Sequence, residues 1–423
     1  MALNQGLSFA GEVSINEVTI ITTNGFIQTI TNQVIGFQIY EDIFNPWISG
    51  QIIIKDSHDM INLFPLVGKE FVRIDVSTPG LDEKYKFKGE FFIYKLTDRL
   101  RTAHREQAYV LHFVSKEAII DVNKKISKTY AGKISDTVRS IITSDDGLES
   151  SKNITIEPTA NNTKHISNFW SPLKNLNYLA KNAVNADGSP TYLFYENKFG
   201  LMFVSLDGLL SVPTYQQFNW DNYNAGINPG GTSYKDFNES YSKILEFRTP
   251  ETFDYLARVE GGMYESVMKH YDIVTKKYTD KTYNSRTNIL DRSRLNLYPA
   301  ITNEHISRPD SFGVIEHKYY GNFNGYGDVT NTKILLDRIS LLQQFNQFKI
   351  EIVVFGRMDY CAGQTINLRV FKAEQLQEKD NPEEFLDKIY SGNYFIAAIN
   401  HTIDREKHEC TMELIKDSYM RPI

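Results

Sequence analysis

Three residues near the C-terminus have side-chain types and spacing that could do chemistry: His401, His408 and Cys410. Imidazole nitrogen and thiolate sulfur are the donors that zinc prefers. If residues 404–407 form a turn between two strands, Ile403 pairs with His408 and His401 with Cys410, which places all three side chains on one sheet face. Ile399 and Ala397 continue that face on one strand, Met412 and Leu414 on the other. It therefore reads as the core-facing side. Apolar neighbours and the lack of a fourth ligand favour a buried histidine against a small thiol over a zinc site. The sequence-based expectation is no metal and no cofactor.

Other chemistry finds less support. There is no phosphate-binding loop, nucleophile elbow or paired-histidine zinc helix, and Gly325 and Gly327 lack the third glycine of a dinucleotide turn. Asp145, Asp146 and Gly147 are followed by no alternating ligand series, so they predict a solvated turn and not a calcium loop. Glycoside cleavage needs two carboxylates flanking one bond. Glu117, Asp121, Glu383 and Glu384 are candidates by type, but 52 acidic residues make any pair unremarkable as evidence. The run from Lys276 to Tyr283 interleaves basic and aromatic residues, yet it is short and lies between or beside Asp272 and Asp280, which suits a solvated face. The expectation is a chain without enzymatic activity.

The 423 residues carry 46 basic and 52 acidic side chains, a net charge of −6, which argues against a surface built to neutralise phosphates. Two cysteines in this length exclude a disulfide-stapled scaffold. No basic segment leads into an apolar run near the start, and no membrane-length apolar stretch occurs. A soluble chain, not conventionally exported and not inserted in a membrane, is expected. The 25 Tyr and 26 Phe, beside many Ile and Thr, favour pleated surfaces.

Alternation and turn residues predict strands over Glu12–Thr23, Val34–Tyr40, Gln51–Lys55, Phe71–Val76, Phe87–Leu96 and Ala108–Val114, with Asn24-Gly25 as a hairpin turn and Pro46 as a connection. Such spacing means a sandwich or a barrel. Apolar residues at three- and four-residue intervals then predict helices over Lys133–Ile142 and Leu173–Val184, the latter opened by Ser171-Pro172. A hairpin follows, Thr191–Tyr195 and Leu201–Ser205. Residues 212–240, with Asn228 to Gly231, read as loop. Residues 251–329, with Gly321, Gly325 and Gly327, read as a loop-rich insertion. The strongest helical period lies over Thr332–Phe348, and strands return after it.

The end of the chain repeats its beginning. Phe87–Leu96 matches Tyr390–Ile399 in its pattern of glycine, aromatic and aliphatic residues, and the returning strands Ala108–Val114 and Glu409–Ile415 match in turn. Gly68 precedes one upstream strand and Gly363 the other, with a one-residue offset and an extra acidic loop around Lys379–Glu384. Alternation alone generates part of such a match. The other reading is two barrels of one ancestry interrupted by insertions. Three copies of a doubled chain would make six positions, and such a ring could cap a sixfold tube.

From Tyr40 through Phe44, Pro46 and Gly50 to Asp56 the sequence resembles the baseplate hub proteins of contractile-tailed, T-even-like phages. Residues 59–70 with Gly68, residues 169–180, the hairpin ending at Phe203, and Gly356 and Gly363 with the strand to His401 continue the likeness. The residues that carry these turn and core patterns, Gly89 and Gly392 included, are expected to be structural. The resemblance implies a β-rich, α+β chain with two tandem tube-type antiparallel β-barrel domains interrupted by α+β insertions. The division expected is 1–118 (first barrel), 119–206 (α+β insertion), 207–250 (return segment of the second barrel), 251–329 (loop-rich insertion) and 330–423 (second barrel). It further implies a virion protein, assembled in the bacterial host cytoplasm. As a homotrimer it would form a pseudo-hexameric ring joining a threefold central spike to the sixfold tail tube, touching tube-initiator and wedge proteins and enclosing a channel that DNA crosses in transit. Two other readings stay open, a virion-associated cell-wall hydrolase and a receptor-binding tail component.

Overall fold

In the computed structural model, which describes residues 7–422 apart from 64–65, 104–105, 221–239, 252–253, 273–275, 286, 288–291, 300–312, 318–328 and 373–381, the predicted strands form where alternation placed them. They are β1 (Ser14–Ile21), β3 (Val34–Asp42), β4 (Ser49–Asp56), β5 (Phe71–Ser77), β6 (Phe87–Ala103, seven residues longer than predicted) and β7 (Glu106–Ser115), with a short strand that was not predicted, β2 (Ile27–Thr29), beside β1. Their order in the sheet is β3-β4-β7-β6-β5-β1-β2, antiparallel throughout. Inward residues such as Val18, Ile39, Ile52, Ile74, Leu111 and Phe113 make one core.

The next stretch combines strands and helices. Strands β8 (Ile126–Lys133) and β10 (Asn162–Trp170) pair, while β9 (Ile154–Ile156) joins the hairpin of β11 (Tyr192–Asn197) and β12 (Gly200–Ser205). Helices Ile134–Thr143 and Pro172–Asn182 pack Val138, Ile141, Leu176 and Leu179 into a core of their own. The second begins as Ser171-Pro172 predicts, the Ser171 hydroxyl accepting the Lys174 N–H at 3.3 Å.

Strands β13 (Gln216–Trp220) and β14 (Ile244–Glu251) follow. Among the described residues of 251–329, β15 (Glu265–Asp272) pairs with β16 (Lys277–Asn284) and with β18 (Gly313–His317), while the short β17 (Tyr298–Pro299) pairs with the C-terminal β23 (Ser418–Tyr419). Composition hides the strand at residues 277–284, where Tyr278, Asp280 and Thr282 are exposed and Tyr283 is buried. Asn228 to Gly231, the cluster of Gly321, Gly325 and Gly327, and most of the acidic loop around Lys379–Glu384 lie outside the described residues. The long helix is Val329–Phe345, three residues earlier than its apolar period suggests. Phe348 belongs to the same apolar set but packs past the helix end, against Tyr390, Tyr394 and Tyr419. Asn24-Gly25 is likewise not a two-residue turn: Ile21 pairs with Ile27, so residues 22–26 form the loop.

After the helix come β19 (Lys349–Phe355), β20 (Thr365–Val370), β21 (Gly392–Asp404) and β22 (His408–Ile415). With β13 and β14 they run in the order β14-β19-β22-β21-β20-β13. That is the order β3-β4-β7-β6-β5-β1 of the first set. The irregularities also coincide. Ile93 faces Phe113 and Lys95 faces His112, so Tyr94 bulges; Ile396 faces Leu414 and Ala398 faces Glu413, so Ala397 bulges at the same point. Ile35 is skipped between β3 and β4, Leu245 between β14 and β19. Alternation can align two strands by chance but does not place an unpaired residue, so the repeat is structural. One difference is that β1 runs antiparallel to β5 and β13 parallel to β20.

The two sets are joined edge to edge. Ala398 to Asp404 of β21 pair with Asp42 to Gly36 of β3, merging both into one 13-stranded sheet. Among the described residues no ladder closes either set on itself.

Gly50 sits mid-strand between Ile39 and Phe113, and a Cβ there would lie 2.2 Å from the Gln38 carbonyl oxygen and 2.3 Å from the Phe113 ring. Gly50→Ala is expected to destabilise the chain by about 1–3 kcal/mol through overpacking. An unchanged urea midpoint, followed by circular dichroism, would contradict that crowding.

Candidate assembly seam and edges

The seam between the two strand sets is held by a buried acid. Glu41 stands on β3 opposite Ile399 of β21 and is 2% exposed. One oxygen accepts the Lys198 N–H at 3.0 Å, from the turn of the β11–β12 hairpin; the other accepts the Ala362 N–H at 3.0 Å, from the segment before β20. A single carboxylate thus ties the first set, the α+β insertion and the second set. Burial pushes its carboxyl up to about 7, against the pull of those N–H groups and of Lys198. The Lys198 ammonium donates to the Tyr85 carbonyl at 3.3 Å and to the Met358 carbonyl, and the Met358 N–H donates to Thr78 at 2.9 Å.

A second polar clamp lies alongside. Lys152 reaches Glu117 at 2.7 Å and also Glu196, whose other oxygen accepts the Ile48 N–H at 3.2 Å. Trp47, in the β3–β4 connection, meets Phe194 edge-on at 5.8 Å and so enters the core of the insertion. Arg357 and Asp359 form a buried pair completed by the Tyr215 hydroxyl at 2.5 Å. Sequence reasoning missed Glu41 and Lys198. The available signal was an acid amid the apolar alternation of a strand, which only a folded neighbour turns into a junction.

The residues singled out from the sequence do not converge on one site. Tyr40, Gly50 and Asp56 lie on β3 and β4, and Phe44 and Pro46 in the turn between them. Phe44 is half exposed, its N–H held by Asp42 at 2.8 Å. Asp56 is wholly buried and accepts from the N–H groups of His58 and Met60 and from Gln107, at 2.9, 2.8 and 3.0 Å. Gly68 and Gly363 occupy matching loops, Gly89 and Gly392 matching positions on β6 and β21, opposite Ile74 and Leu368. Gly356 makes room for the His408 ring, which an added Cβ would meet at 2.2 Å.

His401, His408 and Cys410 do meet, in the register predicted: Ile403 pairs with His408 and His401 with Cys410. His401 Nδ1 is 3.0 Å from His408 Nε2 and 3.2 Å from Cys410 Sγ, which is 3.4 Å from His408 Nε2. Burial pushes His401 down to about 3, lowers His408 strongly and raises the Cys410 thiol, so all three are neutral near pH 7.

Of the four acids considered for hydrolysis, Glu117 and Asp121 are occupied. Glu117 is locked to Lys152 and Ser150, and Asp121 accepts the Leu173 N–H at 2.5 Å. Two adjoining open grooves, about 710 and 690 Å³, run past His58 and Glu106, but Glu106 pairs with Lys55 at 3.1 Å and Asp56 serves backbone N–H groups.

Two edges stand out. β21 gives β20 its first residues and β3 the rest of the same edge. Its counterpart β6 pairs with β5 only as far as Phe92, and beyond that no strand among the described residues covers this edge. Leu100 there is 65% exposed. The counterpart of β3 is β14, which among the described residues pairs only with β19. The two open edges are therefore the repeat equivalents of the two strands that form the internal seam.

This architecture has solved relatives. The tail protein from Neisseria meningitidis MC58 superposes with a TM-score of 0.58 at 12% identity, over 95% of this chain and 96% of that one. The 43 kDa tail protein of prophage MuSo2 from Shewanella oneidensis gives 0.54 at 10%, over 95% and 99%. The chain has the fold of these tail proteins. No family model and no curated protein matches the sequence. No helix among the described residues is long and apolar enough to cross a membrane.

Replacing Glu41 by Ala leaves the buried Ala362 N–H and the part-buried Lys198 N–H without this acceptor, an expected loss of about 1–3 kcal/mol for the first and less for the second. The sign of the pH effect follows from the raised carboxyl. Below pH 4.5 it is protonated folded or unfolded; from there to about 7 the unfolded chain loses its proton first, so this contribution to stability falls as pH rises and is gone above 7. Glu41→Gln does not titrate. Its stability relative to wild type should rise across that window, and a pH-independent difference would remove the assignment.

Proposed function

We propose that this chain is a baseplate hub protein of a phage tail, a structural component without enzymatic activity. Three copies form a ring whose six equivalent strand sets seat a sixfold tail tube on one face, while the threefold insertions meet a central spike and wedge proteins on the other. The observation that carries this reading is the internal repeat, with strand order and both bulges shared between the two sets.

The repeat also supplies a mechanism of closure. Within one chain, β3 of the first set pairs with β21 of the second. If each junction in the ring is built alike, β14 of one chain pairs with the open edge of β6 in the next, and the same ladder recurs six times. Such head-to-tail contacts either close or polymerise, and three doubled chains close after one turn. Closure leaves neither strand as a template for unlimited addition. The tail-protein fold of both solved relatives supports a place in a virion tail, and the passage of DNA through the ring follows from that place.

Native mass measurement of the full chain at micromolar concentration should give three copies. Leu100→Glu, on the open edge of β6, should leave the circular dichroism spectrum unchanged and weaken assembly at least about tenfold, the effect of losing one well-buried contact. A monomeric wild type, or a variant that assembles equally well, would refute the ring. Purified protein should also leave bacterial cell walls intact in a zymogram; clearing would favour the hydrolase reading instead.

A further inference from the structure

The geometry points to a metal site: we propose that His401 Nδ1, His408 Nε2 and Cys410 Sγ together bind one thiophilic ion, Zn²⁺ or Cu⁺, inside the second strand set. Their separations of 3.0, 3.2 and 3.4 Å converge on one point. Two nitrogens about 2.0 Å and a sulfur about 2.3 Å from such an ion lie roughly 3.3–3.8 Å apart at tetrahedral or trigonal angles. The site therefore needs side-chain adjustments of a few tenths of an ångström and no movement of the ladder.

The surroundings hold the donors in place. The Tyr360 backbone lies beside the His401 ring and the Arg357 backbone beside the Cys410 sulfur. Contacts of this kind orient ligating imidazoles and stabilise ligating thiolates. Gly356 leaves the space that the His408 ring fills. His401 and His408 project from the two strands flanking the turn at residues 404–407, and Cys410 follows on the second, so an ion would staple that turn across the sheet.

The first strand set shows that the fold itself does not call for this trio. At the repeat-equivalent positions it has Gln107 for His408 and Tyr109 for Cys410, with Tyr109 buried. A polar cluster that the architecture can do without is one that the second set has use for.

Proton and charge balance are straightforward. Both imidazoles are already neutral, so binding releases one proton, that of the Cys410 thiol. The thiolate cancels one positive charge; Lys198 acts on the sulfur against a cation, and Glu41 and Asp359 act in its favour. His408 Nδ1 has no hydrogen-bond partner among the described residues, and the ligating tautomer must keep its proton there, which lowers the affinity without removing a donor.

The full-length chain, purified without chelators, should retain about one zinc or copper per molecule by elemental analysis, the identity of the retained metal deciding between the two ions. After chelation, titration with Co²⁺ should give a thiolate-to-cobalt band in the near ultraviolet together with visible ligand-field bands. Cys410→Ser should abolish the charge-transfer band and Cys361→Ser should keep it. Wild-type protein of native circular dichroism that retains no metal and develops no cobalt band would overturn the proposal, as would a band that survives Cys410→Ser. The readout on the wild type stands even if a variant fails to fold, and none of these outcomes depends on the oligomeric state.

Discussion

A β-strand offers two hydrogen-bonding edges, and a chain built of strands must decide what each outer edge meets. Here the decision is made at β21. Its first residues pair with β20 of its own set, and the remainder of that edge pairs with β3 from the far end of the sequence. Everything distinctive in the molecule depends on this handover. It fuses two repeats into one sheet, and it leaves the equivalent edges of β6 and β14 open.

Such a seam brings backbone groups from three regions against a buried side chain, and Glu41 resolves the resulting demand. Two N–H groups from different segments find one acceptor, at the expense of burying a carboxylate. Lys198 answers from the insertion, and Lys152 with Glu117 and Glu196 repeats the device a short distance away. The insertion is thus fastened to the sheet by charge and hydrogen bonding as well as by apolar contact, Trp47 entering its core and Leu193, Tyr195 and Val204 of its hairpin joining the core of the second set. Buried polar groups of this kind fix which segments meet, something that the non-directional apolar cores leave open.

The same logic explains what the sequence revealed unevenly. Strand positions in the first repeat, the Ser171-Pro172 helix start and the pairing of His401 with Cys410 all rest on short-range period and turn chemistry, and all are found in the fold. The helix expected to end at Phe348 ends at Phe345, because Phe348 is recruited by an aromatic cluster from the C-terminal strands. Glu265–Asp272 and Lys277–Asn284 form paired strands despite a polar, loop-like composition, because pairing is made by backbone groups that every residue type carries.

The sequence by itself determined the β-rich class, most strand positions, and the repeat between residues 87–114 and 390–415, since these are set by neighbours a few residues apart. It also placed three metal-type donors on one face. Only the tertiary structure decided that the repeats share a sheet through β3 and β21, that Glu41 receives Lys198 and Ala362, and that Asp56, Glu117 and Asp121 are held by structural partners. The physical reason is sequence separation. Period and turn chemistry act within a few residues, whereas a ladder between residues 36 and 404 exists only once the whole chain has chosen which edges to join.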